Sequence, residues 1–173
     1  MKASDLFVKC LETEGVTKIF GIPGEENADL MISLKKSKIE FVLCRHEQAA
    51  AFMADVYGRL TGKAGVCLAT LGPGVTNLMT GLADANMDRA PVVAIIGQGS
   101  TERLHKESHQ IMDSISMVAP ISKWAQTILS AKNVSEVVRK AFKVAETEKP
   151  GVTVIELPED VAKEEVNENP IKP

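Results

Sequence analysis

Three groups of residues have types and spacings that could do chemistry. The first is Arg45-His46-Glu47-Gln48, a polar quartet that follows the apolar run Ile39 to Cys44. Its bland reading is an acidic first helical turn on a solvated surface. The residues behind it suggest more. Ala49, Ala50, Ala51, Ala54 and Gly58 are small, so this helix can pack closely against other backbone. Glu47 would then stand at the carboxyl end of a strand beside an apolar wall. A carboxyl held there is suited to hydrogen bonding a ligand nitrogen and relaying its proton. Spacing alone leaves both readings open. The second group is Gly72-Pro73-Gly74-Val75-Thr76-Asn77, which comes close to a dinucleotide fingerprint. Asn77 replaces its final glycine, and no acidic residue ends the next apolar run, so that motif fails. A P-loop fails as well, because Gly62-Lys63 is followed by Ala64 and lacks the upstream glycine. The segment is expected to be a tight strand-to-helix turn with backbone amides facing a ligand. The third group is His105 and His109, four apart and able to share a helix face. No third metal ligand accompanies them, so no metal site is expected, and they read as loop histidines or substrate contacts. Trp124 and the methionines Met53, Met79, Met87, Met112 and Met117 read as packing.

These groups need elements to position them. Ser4 can cap a first helix with Leu6, Phe7, Cys10 and Leu11 on one face, stopped by Gly15. Thr17 to Phe20 reads as a strand, followed by the turn Gly21-Ile22-Pro23-Gly24. A helix is expected over Asn27 to Lys36, a strand over Ile39 to Cys44 and a helix over His46 to Thr61. Gly65 to Thr70 is a nearly continuous apolar strand, followed by a helix from about Val75 to Met87. Pro91 to Ile96 is another. Ser100 to Pro120 is polar and weakly periodic, which predicts a long functional loop with short helical pieces. Trp124 to Leu129 reads as a fifth strand. Asn133 can cap a helix with Val134, Val137, Val138, Ala141, Phe142 and Ala145 inward. Val152 to Leu157 is the last strand, and the chain turns polar after Pro158. Strands alternating with helices predict an α/β fold, and apolar strands predict a parallel sheet covered on both faces. Right-handed crossovers make it doubly wound, with six strands and ligands at their carboxyl ends.

Composition is consistent with this. The 173 residues are 45% hydrophobic and 25% charged, with a formal net charge of -3, which suits one globular domain and excludes a disordered chain. Lys and Arg are dispersed, so no nucleic-acid surface is expected. No apolar run is long enough to span a membrane. Cys10, Cys44 and Cys67 sit among apolar neighbours and form no C-x-x-C pair. They read as buried free thiols in a reducing cytoplasm.

Five segments stand together in a recognisable order: Phe20-Gly21-Ile22-Pro23-Gly24, Arg45-His46-Glu47-Gln48-Ala49-Ala50, Gly58-Arg59-Leu60-Thr61-Gly62, Gly72 to Asn77, and Ala90-Pro91-Val92-Val93. They resemble the N-terminal pyrimidine-binding domain of thiamine diphosphate enzymes. The likeness is above all to the acetolactate synthase large subunit, and His109-Gln110-x-Met112-Asp113 favours that member. It spans residues 1–166, with Asn167 to Pro173 resembling the start of a linker to a central domain. The resemblance implies the flavodoxin-like sheet of that family. It implies that Glu47 is the catalytic residue, hydrogen bonded to the cofactor's pyrimidine nitrogen as a proton relay. It implies that Pro23, Gly24, Gly72, Pro73 and Asn77 line the pyrimidine pocket and that Gln110 faces substrate. The implied reaction is decarboxylation of pyruvate and carboligation to a second 2-keto acid. The family holds the diphosphate and Mg²⁺ on a Gly-Asp-Gly and a downstream Asn in a C-terminal domain. No Gly-Asp-Gly occurs in this sequence. The resemblance therefore implies a piece of a longer enzyme, inactive alone, whose partner is the diphosphate-binding domain of another subunit in a homo-oligomer. FAD in an absent domain and a regulatory subunit are left open. Two alternatives stand beside this reading: a separate subunit of another 2-keto acid decarboxylase or oxidase, and a non-catalytic flavodoxin-like binding module.

Overall fold

The apolar runs become strands buried along their whole length, as parallel strands covered on both faces must be. β3 (Gly65–Ala69), β4 (Val92–Gln98) and β6 (Val152–Pro158) are buried at every residue. The computed structural model describes residues 1–173 and adds three shorter strands: β1 (Lys18–Gly21), β2 (Glu40–Leu43) and β5 (Trp124–Thr127). All six are parallel, in the order β2-β1-β3-β4-β6-β5. The helices are α1 (Ala3–Thr13), α2 (Ala28–Leu34), α3 (Glu47–Thr61), α4 (Pro73–Met87), α5 (Ser114–Val118), α6 (Val134–Glu146) and α7 (Glu159–Lys163).

Side chains alternate across the sheet, so each strand feeds two cores. Val66, Leu68, Val93, Ile95 and Ile155 face α1, α2, α6 and α7, which bring Leu6, Phe7, Leu30, Phe142 and Val161. Cys67, Ala69, Ala94, Ile96 and Val154 face α3, α4 and α5, which bring Ala50, Ala54, Leu78, Leu82 and Val118. The chain leaves β1 through α2 on the first face and returns from β2 through α3 on the second. The switch point therefore lies between β1 and β3, where Phe20 is in register with Cys67 and Gly21 with Leu68. A parallel sheet offers its ligand crevice beyond the carboxyl ends at such a point.

Small residues let α3 and α4 approach closely, as the alanine run suggested. A Cβ at Gly81 of α4 would lie 2.6 Å from Ala51 Cβ and 3.1 Å from the Phe52 amide nitrogen on α3. At the far ends of the two helices, Arg59 binds Asp55 at 2.7 and 3.0 Å and also reaches Asp88 at 2.8 Å.

Several local expectations need correction. Ser4 does not cap α1; it is buried inside the helix, where its hydroxyl accepts from Ser33 at 3.0 Å, and Lys2 holds the cap position. Asn133 precedes α6, but its side chain makes no cap bond, because a 3-10 turn over Ala131–Asn133 leads into the helix. The helix expected from Asn27 begins as a 3-10 turn, Glu25–Asn27, and ends at Leu34. α4 starts at Pro73, whose fixed φ and missing amide suit the first helical position. The polar stretch after Pro158 contains α7, whose Val161 and Ala162 are buried. Met53, Met87 and Met112 are exposed rather than packed inside. His105 and His109 share no helix face, for that segment is irregular. All three cysteines are buried and free. No helix is long and apolar enough to cross a membrane. Residues 167–173 form no helix or strand, and the Asn169 carbonyl accepts from the Ser135 hydroxyl at 2.8 Å.

The α3–α4 seam yields a stability prediction. Gly81→Val places a branched side chain where a single Cβ already collides with α3. Overpacking of this kind costs about 1–3 kcal/mol, which lowers the melting temperature by roughly 2–12 °C for a chain of this length. Thermal unfolding followed by circular dichroism checks it, and an unchanged melting temperature would show that the seam yields without cost.

Candidate functional site

Glu47 is the first residue of α3, directly after β2. The helix start is fixed by His46, whose Nδ1 accepts from the Gln48 amide at 3.1 Å. Glu47 is 8% exposed. Its Oε2 accepts from Asn77 Nδ2 at 2.9 Å, and Asn77 lies in the first turns of α4. Oε1 has no hydrogen-bond partner in the protein and faces Gly74, where a Cβ would lie 3.6 Å away. One oxygen is therefore held and the other is free. A carboxylate divided in this way is oriented by the protein and keeps one position for a ligand donor.

The Thr70 side chain lies beside the same glycine. It lies 3.2 Å from a Cβ built on Gly74 and collides outright with one built on Gly24. The Thr70 hydroxyl donates to Glu26 Oε2 at 2.9 Å. Two carboxylates, Glu26 and Glu47, thus lie near the ends of β1 and β3, where Gly24 and Gly74 let the backbone pack closely against Thr70. Pro23 is exposed, and Pro73 is exposed at the start of α4.

Gly72 has φ +57°, a conformation that few residues other than glycine adopt. A Cβ there would lie 2.7 Å from the Gln110 carbonyl oxygen and 2.9 Å from its Cβ. The loop after β4 therefore folds back onto the turn after β3. Glu47, Asn77, Gly72, Pro73, Gly74, Gly24 and Gln110 come together at one end of the sheet; His105 lines a cavity with Gln98, Met112 and Glu156. The backbone amides expected to face a ligand at α4 do not. Those of Gly74, Val75 and Thr76 are spent on the carbonyls of Leu71 and Gly72, at 3.0–3.2 Å. The turn meets a ligand through side chains and glycine openings.

Sequence reasoning missed a buried polar cluster beside this crevice. Gln98 ends β4 and is 2% exposed, and Glu156 lies in β6 and is 4% exposed. Gln98 Nε2 donates to Glu156 Oε1 at 3.0 Å and to the Met112 carbonyl at 3.1 Å, while its Oε1 accepts from the Gly99 amide. The Thr127 hydroxyl donates to Glu156 Oε2 at 2.6 Å. A charged residue inside the apolar run Val152 to Leu157 was the available signal. Asn27 was missed too: its Nδ2 reaches the Ala69 carbonyl at 3.5 Å, and its buried Oδ1 has no partner.

Burial pushes the Glu156 carboxyl above its ordinary value, against the opposing hydrogen bonds from Thr127, Gln98 and Ser114. The folded state therefore takes up a proton at higher pH than the unfolded chain. The stability this contributes is full below the ordinary carboxyl value and is lost as pH rises through the raised one. Glu156→Gln removes the titration. The difference in unfolding free energy between variant and parent is expected to move in the variant's favour as pH rises from about 4 to 8. Urea unfolding across that range checks it; a difference that stays constant would contradict it.

Comparison with known proteins places the chain in a family. Residues 1–117 match the family described as thiamine pyrophosphate enzyme, N-terminal TPP binding domain. The chain is 44% identical to the catabolic acetolactate synthase of Raoultella terrigena over 158 residues, covering 91% of this chain and 28% of that protein. It is 41% identical to the acetolactate synthase of Bacillus subtilis over 166 residues, covering 96% of this chain and 29% of that protein. It is also 41% identical to a probable acetolactate synthase large subunit of Methanocaldococcus jannaschii, over 96% of this chain and 28% of that protein. The chain thus spans under a third of the length of these relatives. A doubly wound parallel sheet, a half-satisfied glutamate at its switch point and a family match over residues 1–117 lead to one assignment: the chain belongs to the N-terminal TPP-binding domains of the thiamine pyrophosphate enzymes.

Proposed function

We propose that this chain forms the aminopyrimidine side of the cofactor site in an enzyme that makes acetolactate. In that reaction pyruvate loses carbon dioxide, and its two-carbon remainder joins a second 2-keto acid. The observation that carries the reading is the divided carboxylate of Glu47, with Oε2 held by Asn77 and Oε1 free beside Gly74. The residues fit an aminopyrimidine. A flat ring needs close approach to the carboxylate, and a Cβ at Gly74 would stand 3.6 Å from Oε1. A ring nitrogen needs a partner able to hold or release a proton, which Oε1 offers. When bound, thiamine diphosphate supplies the carbon centre at which the keto acid is cleaved and the two-carbon unit passed on.

The chain's own residues have separable tasks. Glu47 is the catalytic residue, hydrogen bonding the pyrimidine nitrogen and moving a proton at Oε1. Asn77 fixes the carboxylate so that its free oxygen has one direction. Gly72, Pro73, Gly24 and Pro23 shape the slot for the ring, and Gln110 presents its side chain to substrate. The Gly-Asp-Gly that the resemblance requires does not occur in this sequence, so we assign Mg²⁺ and the diphosphate to ligands outside it. FAD is left to a domain outside this chain.

A partner surface adjoins the slot. Phe20, Ala49, Phe52, Met53, Val56, Tyr57 and Leu60 form an open and wholly apolar face. Leu60 is 81% exposed, and Leu43 at the end of β2 is 69% exposed. Contiguous apolar surface of this kind marks an interface. We assign it to the diphosphate-binding domain of another subunit, in a homo-oligomer in which a regulatory subunit is a further candidate. The residues 167–173 are assigned to a connection toward a central domain, and the setting to the cytoplasm.

Two experiments test this function. In the assembled enzyme, Glu47→Gln keeps the shape and the Asn77 contact but cannot titrate. Turnover of 2-keto acid is expected to fall about 10²–10⁴-fold with cofactor still bound. Near-parental turnover at full cofactor occupancy would remove Glu47 from the proton relay. The second concerns the chain alone. The slot offers thiamine diphosphate a few hydrogen bonds against several kcal/mol of lost freedom, so affinity is expected at about millimolar or weaker, without Mg²⁺ dependence. Calorimetric titration decides it; micromolar binding that requires Mg²⁺ would show that the diphosphate site is also within these residues.

A further inference from the structure

The loop between β4 and α5 has an unusual demand placed on it. Gln110 has φ +56°, a left-handed conformation that a non-glycine residue holds only when its surroundings over-determine it. Its own contact with Gly72 lies at the crest of the loop. Gln110 sits in a turn in which the Ile111 amide donates to the Ser108 carbonyl at 3.2 Å, and the loop that carries this turn is tied at both feet. At the first foot, Thr101 donates through its amide and hydroxyl to Asp160 of α7 at 3.1 and 2.5 Å. Arg103 reaches Glu159 at 3.5 Å and binds back to the Ser108 hydroxyl at 2.9 Å. At the second foot, two residues after Gln110, the Met112 carbonyl accepts from Gln98 Nε2.

The second foot rests on two deeply buried polar side chains. Gln98 has no freedom to turn: its Nε2 is shared between Met112 and Glu156, and its Oε1 is taken by the Gly99 amide. Glu156 is held in turn by Thr127 from the neighbouring strand. A buried network with every member satisfied is rigid. Nothing in the crevice itself requires this network, because neither Gln98 nor Glu156 contacts Glu47, Asn77 or Gly72. What it does is join the end of β4 to the loop that covers Gly72.

We propose that Gln98, oriented by Glu156, is a positioning residue that holds the loop so that Gln110 stays over the Gly72 turn. The proposal rests on the reading of Gln110 as the group that faces substrate. It deepens that reading by naming what holds Gln110 in place. The end of the apolar strand β4 thereby does two things: it completes the sheet, and it sets the height of the substrate-facing loop above the cofactor slot.

Two measurements test it. The first uses the chain itself. Gln98→Leu keeps the volume and removes both donors and the acceptor, and Gln98→Met is the alternative should the leucine variant not fold. Amide hydrogen exchange is expected to quicken at least about tenfold across residues 104–113, with β1, β3 and α3 unchanged. Unchanged loop exchange, acceleration spread evenly over the whole chain, or failure of both variants to fold would each overturn the proposal. The second uses the assembled enzyme. Gln98→Leu is expected to lower kcat/KM for the 2-keto acid about tenfold in the parent, and less than about twofold in a Gln110→Ala background, because the two act through one contact. Equal losses in both backgrounds would show that Gln98 does not act through Gln110. An enzyme that turns over no 2-keto acid would refute the proposed reaction, and the exchange result would still report on the clamp.

Discussion

The distance between two helix starts controls this site. Asn77 can hold Glu47 at 2.9 Å only because α3 and α4 run close together beneath them. Alanine and glycine make that approach possible, with Gly81 against Ala51 and Phe52 at its tightest point. Arg59 ties Asp55 of α3 to Asp88 just past α4 at the opposite end, so the seam is fixed at both ends. A larger residue at the seam would spread the helices and release the carboxylate from its amide. The position of Glu47 therefore depends on Gly81 and Ala51, which carry no functional group, as well as on Asn77. The seam also explains why α3 is so apolar on its outer side. Its inner face is used by α4 and the sheet, and Phe52, Met53, Val56 and Leu60 form the open apolar face on the other side.

Much of this was legible before any coordinates. Continuous apolar runs such as Val92 to Ile96 and Val152 to Ile155 have one explanation, burial on both faces, and the parallel sheet follows from it. The small residues after Glu47 predicted a close helix contact, and that contact is present. The turn at Gly72 was legible as a turn because glycine and proline punctuate the backbone by known means. What spacing could not show was which atoms in that turn are free. Two glycines before a helix suggest exposed amides, yet the turn closes on itself and uses them internally.

The misreadings have a common physical origin. Ser4 and Asn133 have the right chemistry for caps, but a cap depends on the entry path of the chain. At Ser4 the pull of Ser33 and a buried position wins, and at Asn133 a 3-10 turn fills the place. α7 is too short for periodicity to register, and its burial comes from a surface supplied by other elements. The Gln98–Glu156 network joins residues 58 positions apart, so no local pattern can announce it. The charged residue in the last strand was a trace of it, since an isolated carboxylate in an apolar run must find donors.

Strain and support meet at the mouth of the crevice. Gly72 and Gln110 both adopt positive φ, at +57° and +56°, and they lie against each other. Glycine takes that conformation without penalty, whereas glutamine does not. Putting the strained residue on the loop and the permissive one on the turn leaves the turn free to approach closely, and the loop then has to be restrained. Beyond its own Ser108–Ile111 turn, the loop is tied to α7 through Asp160 and Glu159, and to β6 through Glu156 and Gln98. The half of the sheet beyond β4 thus braces the loop, while the half around β1 and β3 carries Glu47, Gly24 and Gly72. A doubly wound sheet separates these tasks naturally, because its switch point lies on one side and its remaining strands are free to brace whatever folds over it.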